Sequence, residues 1–454
     1  LSSRGVNHAA EADRDVFEFS RRRAFRGALA LPRAAVPNRK LRGAPLALLL
    51  AYLLYALVGA HPLAQTPVGD RLEGSSLERV LALALFALAA AVAWGRRRET
   101  AARFAACPGL PAVVGICLAS ALWSRYPDLT LRRSMLLGFV TFAAVAIAAS
   151  ARDPRGLHTI LFATLTGVIL LNILAALAAP SIAITDIGVR GIYTQKNVAG
   201  YVAMLALVCG AAWTLGAENR GRALIGVLGT AVALIFLAFT RSKTSIALAA
   251  LALAIGGVII LAERIGARFA LFAIGCALFA LALAAALFAA IDFDAARAVE
   301  FAFGDASFSG RDELWAFARR SIAEAPWLGH GYGAFWDVGA INDPLARLEP
   351  GTWLGDVETG TINQAHNGYL ELGLNIGIPA TIAAALTFVS GAAAAARRAL
   401  SRGSPRGERA AFGAMASILW LYLAHNQTEA TLFMRGSPFY ALAALALAVS
   451  ARPQ

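Results

Sequence analysis

Apolar residues arrive in long runs separated by short polar gaps, and this pattern, rather than any alternation of period two, governs the reading of the chain. A helix needs about 20 mostly apolar residues to cross a hydrocarbon core of about 30 Å. On that measure the sequence predicts about twelve transmembrane helices, at 44–60, 77–94, 109–124, 134–150, 157–179, 198–216, 223–240, 244–262, 269–291, 367–394, 410–424 and 437–451. Alanine and leucine dominate these runs, and the few β-branched positions show no strand periodicity, which argues against a transmembrane barrel. The expected fold is an all-α polytopic membrane protein. Its parts read as a basic leader over 1–43, helices one to nine over 44–291, a long polar loop over 292–366, and helices ten to twelve over 367–451.

Composition agrees. Of 454 residues, 58% are hydrophobic and only 15% charged, a balance outside that of ordinary soluble domains. The net charge of +13 also follows from topology. Cytoplasmic loops near membrane helices carry an excess of Lys and Arg. With both termini placed in the cytoplasm, the inner set holds 26 basic against 9 acidic residues and the outer set 15 against 19. Nucleic-acid binding is not needed to explain the basic balance. The leader interleaves Arg21, Arg22, Arg23 and Arg26 with Phe17, Phe19 and Phe25. It reads as a disordered positive-inside anchor, with RNA or anionic lipid as the alternative partner. Its length and lack of a small-residue cleavage site argue against a removable signal peptide. Four cysteines, Cys107, Cys117, Cys209 and Cys276, suggest neither a disulfide framework nor a thiolate metal site.

Ion-coupled transporters keep ionisable residues near the bilayer midplane. The predicted spans have none there: Glu371 and Arg241 fall at helix ends, and Asn172 reads as packing between helices. Chemistry is therefore expected on the outer face, where four segments gather charge and aromatic rings.

The first segment runs from Trp123 to Asp128 and on to Arg132 and Arg133, which either contact a phosphate or anchor the interface. The second runs from Val189 through Arg190 and Tyr193 to Lys196 and Asn197, against the inside bias of basic residues. Lys196 and Asn197 open a helix, where free N–H groups favour an anion. A related corner holds Arg241, Ser242 and Lys243.

The third segment contains Arg311 and Trp315 one turn apart, on a predicted amphipathic helix whose apolar face is Leu314, Phe317, Ala318 and Ile322. That helix is expected to lie on the outer membrane surface. A glycine-aromatic stretch, Pro326 to Trp336, follows it and suits either sugar contact or packing. The fourth segment is His366, Asn367, Gly368, Tyr369, Leu370 and Glu371, continuing to Gly373 and Gly377. An imidazole there can accept a proton near neutral pH. The last outer loop, His425 to Glu429, adds polar side chains to the same expected cavity. Among His61, His330, His366 and His425 no spacing suits zinc, and no metal site is expected.

With these residues in view, the chain resembles the O-antigen ligase and polymerase superfamily, multi-span bacterial glycosyltransferases that include exopolysaccharide polymerases. The points of contact are Trp123 to Arg133, Arg190 to Asn197, Arg311 with Trp315, Pro326 to Trp336, and His366 to Leu370. The resemblance implies an inner-membrane location, one long periplasmic loop, and a polyprenyl-diphosphate-linked glycan as donor, without metal, nucleotide or other cofactor. It matches Arg190 and Arg311 to the family's essential outer arginines and His366 to its loop-closing histidine. Binding roles are then expected for Lys196, Asn197, Arg241, Lys243, Trp315, Asn367, Tyr369, Arg132, Arg133 and Glu429. The implied partners are membrane lipids and the flippase and chain-length regulator of the same pathway, with no nucleic acid.

In the implied reaction, Arg190 and Arg311 hold the leaving diphosphate while His366 orients or deprotonates the attacking hydroxyl, inverting the anomeric carbon. The wording of Tyr193 to Asn197 and Gly331 to Trp336 favours a polymerase. An O-antigen ligase acting on a lipid A core sugar and a non-catalytic lipid or glycan transporter are the alternatives.

Overall fold

The structure is a computed structural model that describes residues 41–65, 74–265, 309–348, 351–357, 361–401 and 403–451. Most of the basic leader, the expected span at 269–291, Cys276 and the start of the long loop lie outside the described residues.

Among the described residues the chain runs through α1 (Ala44–Leu57), α2 (Ser76–Gly95), α3 (Arg97–Ala106), α4 (Gly109–Ala119), α5 (Pro127–Ser150), α6 (Pro154–Ala178), α7 (Lys196–Leu215), α8 (Arg220–Thr240), α9 (Lys243–Ile265), α10 (Ser309–Glu324), α11 (Gly368–Ala399), α12 (Arg406–His425) and α13 (Pro438–Ser450). A small antiparallel ribbon, β1 (Ile184–Thr185) and β2 (Gly188–Val189), interrupts the helices before α7 and pairs Ile184 with Val189. Local chemistry explains several helix starts. Proline occupies the first turn of α1, α5, α6 and α13, where a missing N–H costs nothing. Ser75 caps α2 by accepting the Glu78 N–H at 3.3 Å.

The architecture is that of an all-α polytopic membrane protein, with fewer spans among the described residues than the sequence predicts. Six helices among the described residues, α2, α5, α6, α7, α8 and α11, are long and apolar enough to cross a membrane. A seventh results if α3 and the stretch Gly109–Leu122, bent by 86° from one another, form one broken span. Among the described residues, several of the twelve expected spans fall short for physical reasons. At 1.5 Å per residue the 14 residues of α1 and 13 of α13 reach only about 20 Å. Every residue of α13 is buried inside the protein, so its apolar run is covered by protein. Hydropathy does not distinguish these two kinds of burial. In α12 the first turn holds Arg406, Glu408 and Arg409, which shortens the apolar stretch. α5 and α7 are also largely interior, α7 being packed by α6, α8, α9 and α12.

The feature that positions the site is a break in α11. Gly377 has φ +81°, and Pro379 follows two residues later, removing an N–H and crowding the carbonyl of Asn375. The carbonyls left over at Leu374 and Asn375 accept the N–H groups of His330 (2.8 Å) and Gly331 (3.0 Å). The Ile378 N–H in turn donates to the Pro326 carbonyl at 2.8 Å. A Cβ on Gly377 would stand 2.4 Å from the Trp327 backbone, so glycine is required at this contact. The stretch Pro326 to Trp336 is thus laid into the break, which gives it a packing role.

The amphipathic helix is present as α10, but its setting differs from expectation. Leu314, Phe317, Ala318 and Ile322 are buried against Phe335, Trp336, Leu345, Leu354, Ala365 and Leu374 rather than turned toward lipid. A stripe of period 3.6 identifies an apolar face without naming what covers it.

Candidate functional site

Three of the four outer segments meet at one carboxylate. Glu429, 7% exposed, follows the end of α12. Its Oε2 lies 3.3 Å from His366 Nδ1, and its Oε1 lies 3.4 Å from Arg311 Nη2. Asn197, at the start of α7, donates through Nδ2 to the same Oε1 at 2.8 Å. Ser242, from the corner between α8 and α9, donates through Oγ to Asn197 Oδ1 at 3.3 Å. Arg311 Nη1 also donates to the Thr428 carbonyl at 3.0 Å. Burial pushes the Glu429 carboxyl up, but the hydrogen bond from His366 and the charges of His366, Arg311 and His425 outweigh it and hold the pKa below the usual glutamate value. The carboxylate is charged at neutral pH and serves as the shared partner of the imidazole and the guanidinium.

His366 is held from both sides. Its own φ is +48°, a left-handed conformation that a non-glycine residue keeps only when its neighbours fix it. Before it, the Ala365 N–H donates to Glu371 Oε2 at 2.8 Å, and the Ala365 carbonyl accepts the Trp315 indole N–H at 3.0 Å. After it, Asn367 caps α11 by accepting from Tyr369 and Leu370 N–H at 3.0 and 3.1 Å, and donates to the Gln427 carbonyl at 3.0 Å. The Gly368 N–H donates to the Asn426 carbonyl at 2.8 Å. Glu371, one turn from His366 in sequence, is occupied by Ala365, by Trp336 Nε1 at 3.0 Å and by Asn375. The acid bonded to His366 is Glu429, 63 positions away.

The first outer segment acts as a brace. Arg133, 5% exposed, donates to the carbonyls of Gly333, Trp336 (3.2 Å) and Asp337 (3.0 Å). Trp123 donates to the Leu328 carbonyl at 3.0 Å. These bonds fix the turn that carries Trp336 and, through Glu371, the backbone before His366. The Arg133 guanidinium is thus engaged with backbone carbonyls in this structure. Arg132 is exposed and donates to the Asp128 carbonyl at 3.4 Å.

Arg190 is 8% exposed and donates to the carbonyls of Ile182 (2.6 Å), Thr194 (3.3 Å) and Gln65 (3.4 Å). It does not join the Glu429 cluster, but Thr194 lines the same cavity as Glu429. Lys196 donates to the Ile187 carbonyl at 2.9 Å and lies within electrostatic reach of Arg241 and Lys243, both exposed.

Two hollows are lined by residues next to His366 or bonded to it. One, of about 390 Å³, includes Tyr193, Asn197, Tyr201, Gln364, His425 and Glu429 in its wall. The other, also of about 390 Å³, is lined by Trp315, Arg319, Asn367, Tyr369, Leu370 and Gln427. Gln364 and Glu429 line the first and Asn367 and Gln427 the second, while His366 and Arg311 reach the first through their shared partner Glu429. Sequence reasoning placed Glu429 among binding residues and missed its central position, because the residues it joins are 63, 118 and 232 positions away. Among the described residues no cluster of three His, Cys, Asp or Glu side chains is arranged to hold a metal ion.

A protein-family model described as O-Antigen ligase matches residues 228–385. The matched stretch contains Arg311, Trp315, His366, Asn367 and Tyr369, and leaves out Arg190, Asn197 and Glu429. No curated protein matches the chain significantly.

Proposed function

We propose that the chain is a membrane glycosyltransferase that moves a glycan from a polyprenyl diphosphate to a sugar hydroxyl, and that it does so as a ligase acting on a lipid A core sugar. The observation that carries this reading is the convergence of His366 and Arg311 on the buried Glu429, which lines one of the hollows. The match to a ligase-described family over the stretch holding both residues supports it.

The chemistry follows from the contacts. With Nδ1–H directed at Glu429, the Nε2 lone pair of His366 is left to take the proton of the attacking hydroxyl. The hydroxyl oxygen bonds to the anomeric carbon as the bond from that carbon to the diphosphate breaks, and the electron pair leaves with the diphosphate. A single displacement inverts the centre. Arg311 is placed to offset the charge that develops on the leaving oxygens, and its ion pair with Glu429 fixes the fork for that contact. The groove of Trp315, Tyr369 and Asn367 suits a sugar, with ring faces and an amide along one wall. Arg190, through Thr194, shapes the other hollow, which takes the lipid-linked donor. Counted over the spans that the sequence predicts, the loops on this side hold more acids than bases, which supports a periplasmic site.

A polymerase uses the same donor chemistry and is the second reading. Part of its support came from the wording of Gly331 to Trp336, where Gly331 N–H serves the break in α11 by bonding the Asn375 carbonyl, a role that either reading accommodates. A deletion strain separates the readings. Long lipid-linked chains beside an unmodified core mark a ligase, accumulated single repeat units mark a polymerase, and intermediates trapped inside mark a transporter.

A further inference from the structure

The arginines at this end of the bundle are not equivalent. Arg133 and Arg190 spend their guanidinium groups on backbone carbonyls, and Arg311 pairs with Glu429. Arg435 is half-buried, and among the described residues its side chain makes no hydrogen bond and no ion pair. It lies in the loop between α12 and α13 and lines the hollow that also contains Glu429 and Asn197. Its backbone, by contrast, is pinned. The Arg435 N–H donates to Tyr332 Oη at 3.2 Å, and that hydroxyl donates to the Phe433 carbonyl at 2.6 Å. The fold therefore fixes the position of the residue and leaves its charged end unmatched, at a desolvation cost that a bound anion would offset.

A second unmatched group shares the hollow. His425 is 1% exposed, and its Nδ1 is buried with no hydrogen-bond partner. The ring is held in place by Tyr201 and Phe439, with centroids at 5.3 and 5.2 Å. The remaining wall is divided by polarity. Ala56, Val140, Ile192 and Ala441 make an apolar part, while His61, Gln195 and Arg435 are polar. Glu78 also lines it and stays beyond ion-pairing distance of Arg435. Unpaired nitrogen groups beside an apolar wall match an anionic headgroup joined to a hydrocarbon chain.

We propose that Arg435 binds the diphosphate of the carrier lipid in this hollow, with His425 as a second contact. The inference rests on the donor class given under Proposed function and adds a residue outside the stretch that the family match covers.

The test uses the purified full chain in nanodiscs of phosphatidylcholine, with binding of undecaprenyl diphosphate measured for the wild type, Arg435→Gln and Arg435→Lys. Thermal melting monitors folding of each variant. The expected result is binding weakened at least tenfold by Arg435→Gln and less by Arg435→Lys, with melting unchanged. Equal binding by wild type and Arg435→Gln would overturn the role of Arg435 and leave the glycosyltransferase reading standing. Absence of binding by the wild type would instead remove the donor class and the inference with it. A phosphatidylglycerol arm separates the two sources of phosphate. If that lipid competes as well as the diphosphate and loses equally in Arg435→Gln, the hollow is a general headgroup anchor and the proposal fails.

Discussion

Arg311 Nη2 and Glu429 Oε1 meet at 3.4 Å although 118 positions of sequence separate them. The same carboxylate reaches His366 Nδ1 at 3.3 Å through its other oxygen. One buried acid therefore sets the distance between the proposed base and the proposed anion-binding group. It does so from a loop after α12, whereas Arg311 belongs to α10 and His366 to the entry of α11.

Glu429→Gln is the direct probe of this linkage. The amide keeps the shape but removes the charge that holds Arg311 and orients His366. Transfer should fall by roughly 10²–10⁴-fold, the range of a displaced acid–base group, while the protein still inserts. The pH dependence has a defined sign. Because the folded pKa is depressed, the stabilising contribution of Glu429 is present above the ordinary glutamate value of about 4.3 and is lost as pH falls through the lower folded value. Melting temperatures measured across that acidic window should decline in the wild type and decline less in Glu429→Gln. Identical profiles would mean that the carboxylate is not under the field described.

Arg190 presents a choice between clamp and contact. Its three carbonyl bonds predict that Arg190→Ala loosens the 182–194 segment, detected as faster proteolysis there together with lost transfer. If transfer disappears while the segment stays equally protected, the guanidinium touches substrate directly.

The sequence revealed the helices better than their surroundings. Six apolar runs became long helices close to the expected limits, because uninterrupted Ala and Leu over about 20 residues leave little alternative. What the pattern did not distinguish was lipid from protein as the covering medium, and this explains both the overcounted spans and the position of α10 on the protein. At the site, His366, Arg311, Asn197 and Trp315 stood out by type and position. The status of Arg133 and Arg190 was hidden, since no spacing rule tells whether a guanidinium will meet phosphate or backbone carbonyls. Arg435 was passed over because Phe433-Met434-Arg435-Gly436 looks like an ordinary turn at a helix start.

The break in α11 should be sensitive to a single methyl group. In Gly377→Ala the new Cβ meets the Trp327 backbone at 2.4 Å and the residue must hold φ near +81°. A penalty of about 1–3 kcal/mol from the backbone alone should lower the melting temperature and detach the Pro326 to Trp336 stretch. Hydrogen exchange at His330 and Gly331, whose N–H groups bond across the break, reports that detachment. Unchanged exchange would show that the break tolerates a side chain.

Orientation is testable independently of chemistry. A phosphatase fused near residue 340 should be active in the periplasm, and one fused near residue 403 should be inactive. The reverse pattern would put the Glu429 cluster on the cytoplasmic side and exclude the proposed donor arrangement.

The central claim is that His366, positioned by Glu429, takes the proton of the acceptor hydroxyl during transfer from a lipid diphosphate. Its most direct measurement is single-turnover transfer from a defined lipid-linked glycan to acceptor in proteoliposomes, with wild type and His366→Ala at matched donor occupancy. The account predicts that donor binding persists and transfer slows by roughly 10²–10⁴-fold. Transfer by His366→Ala at the wild-type rate would contradict it.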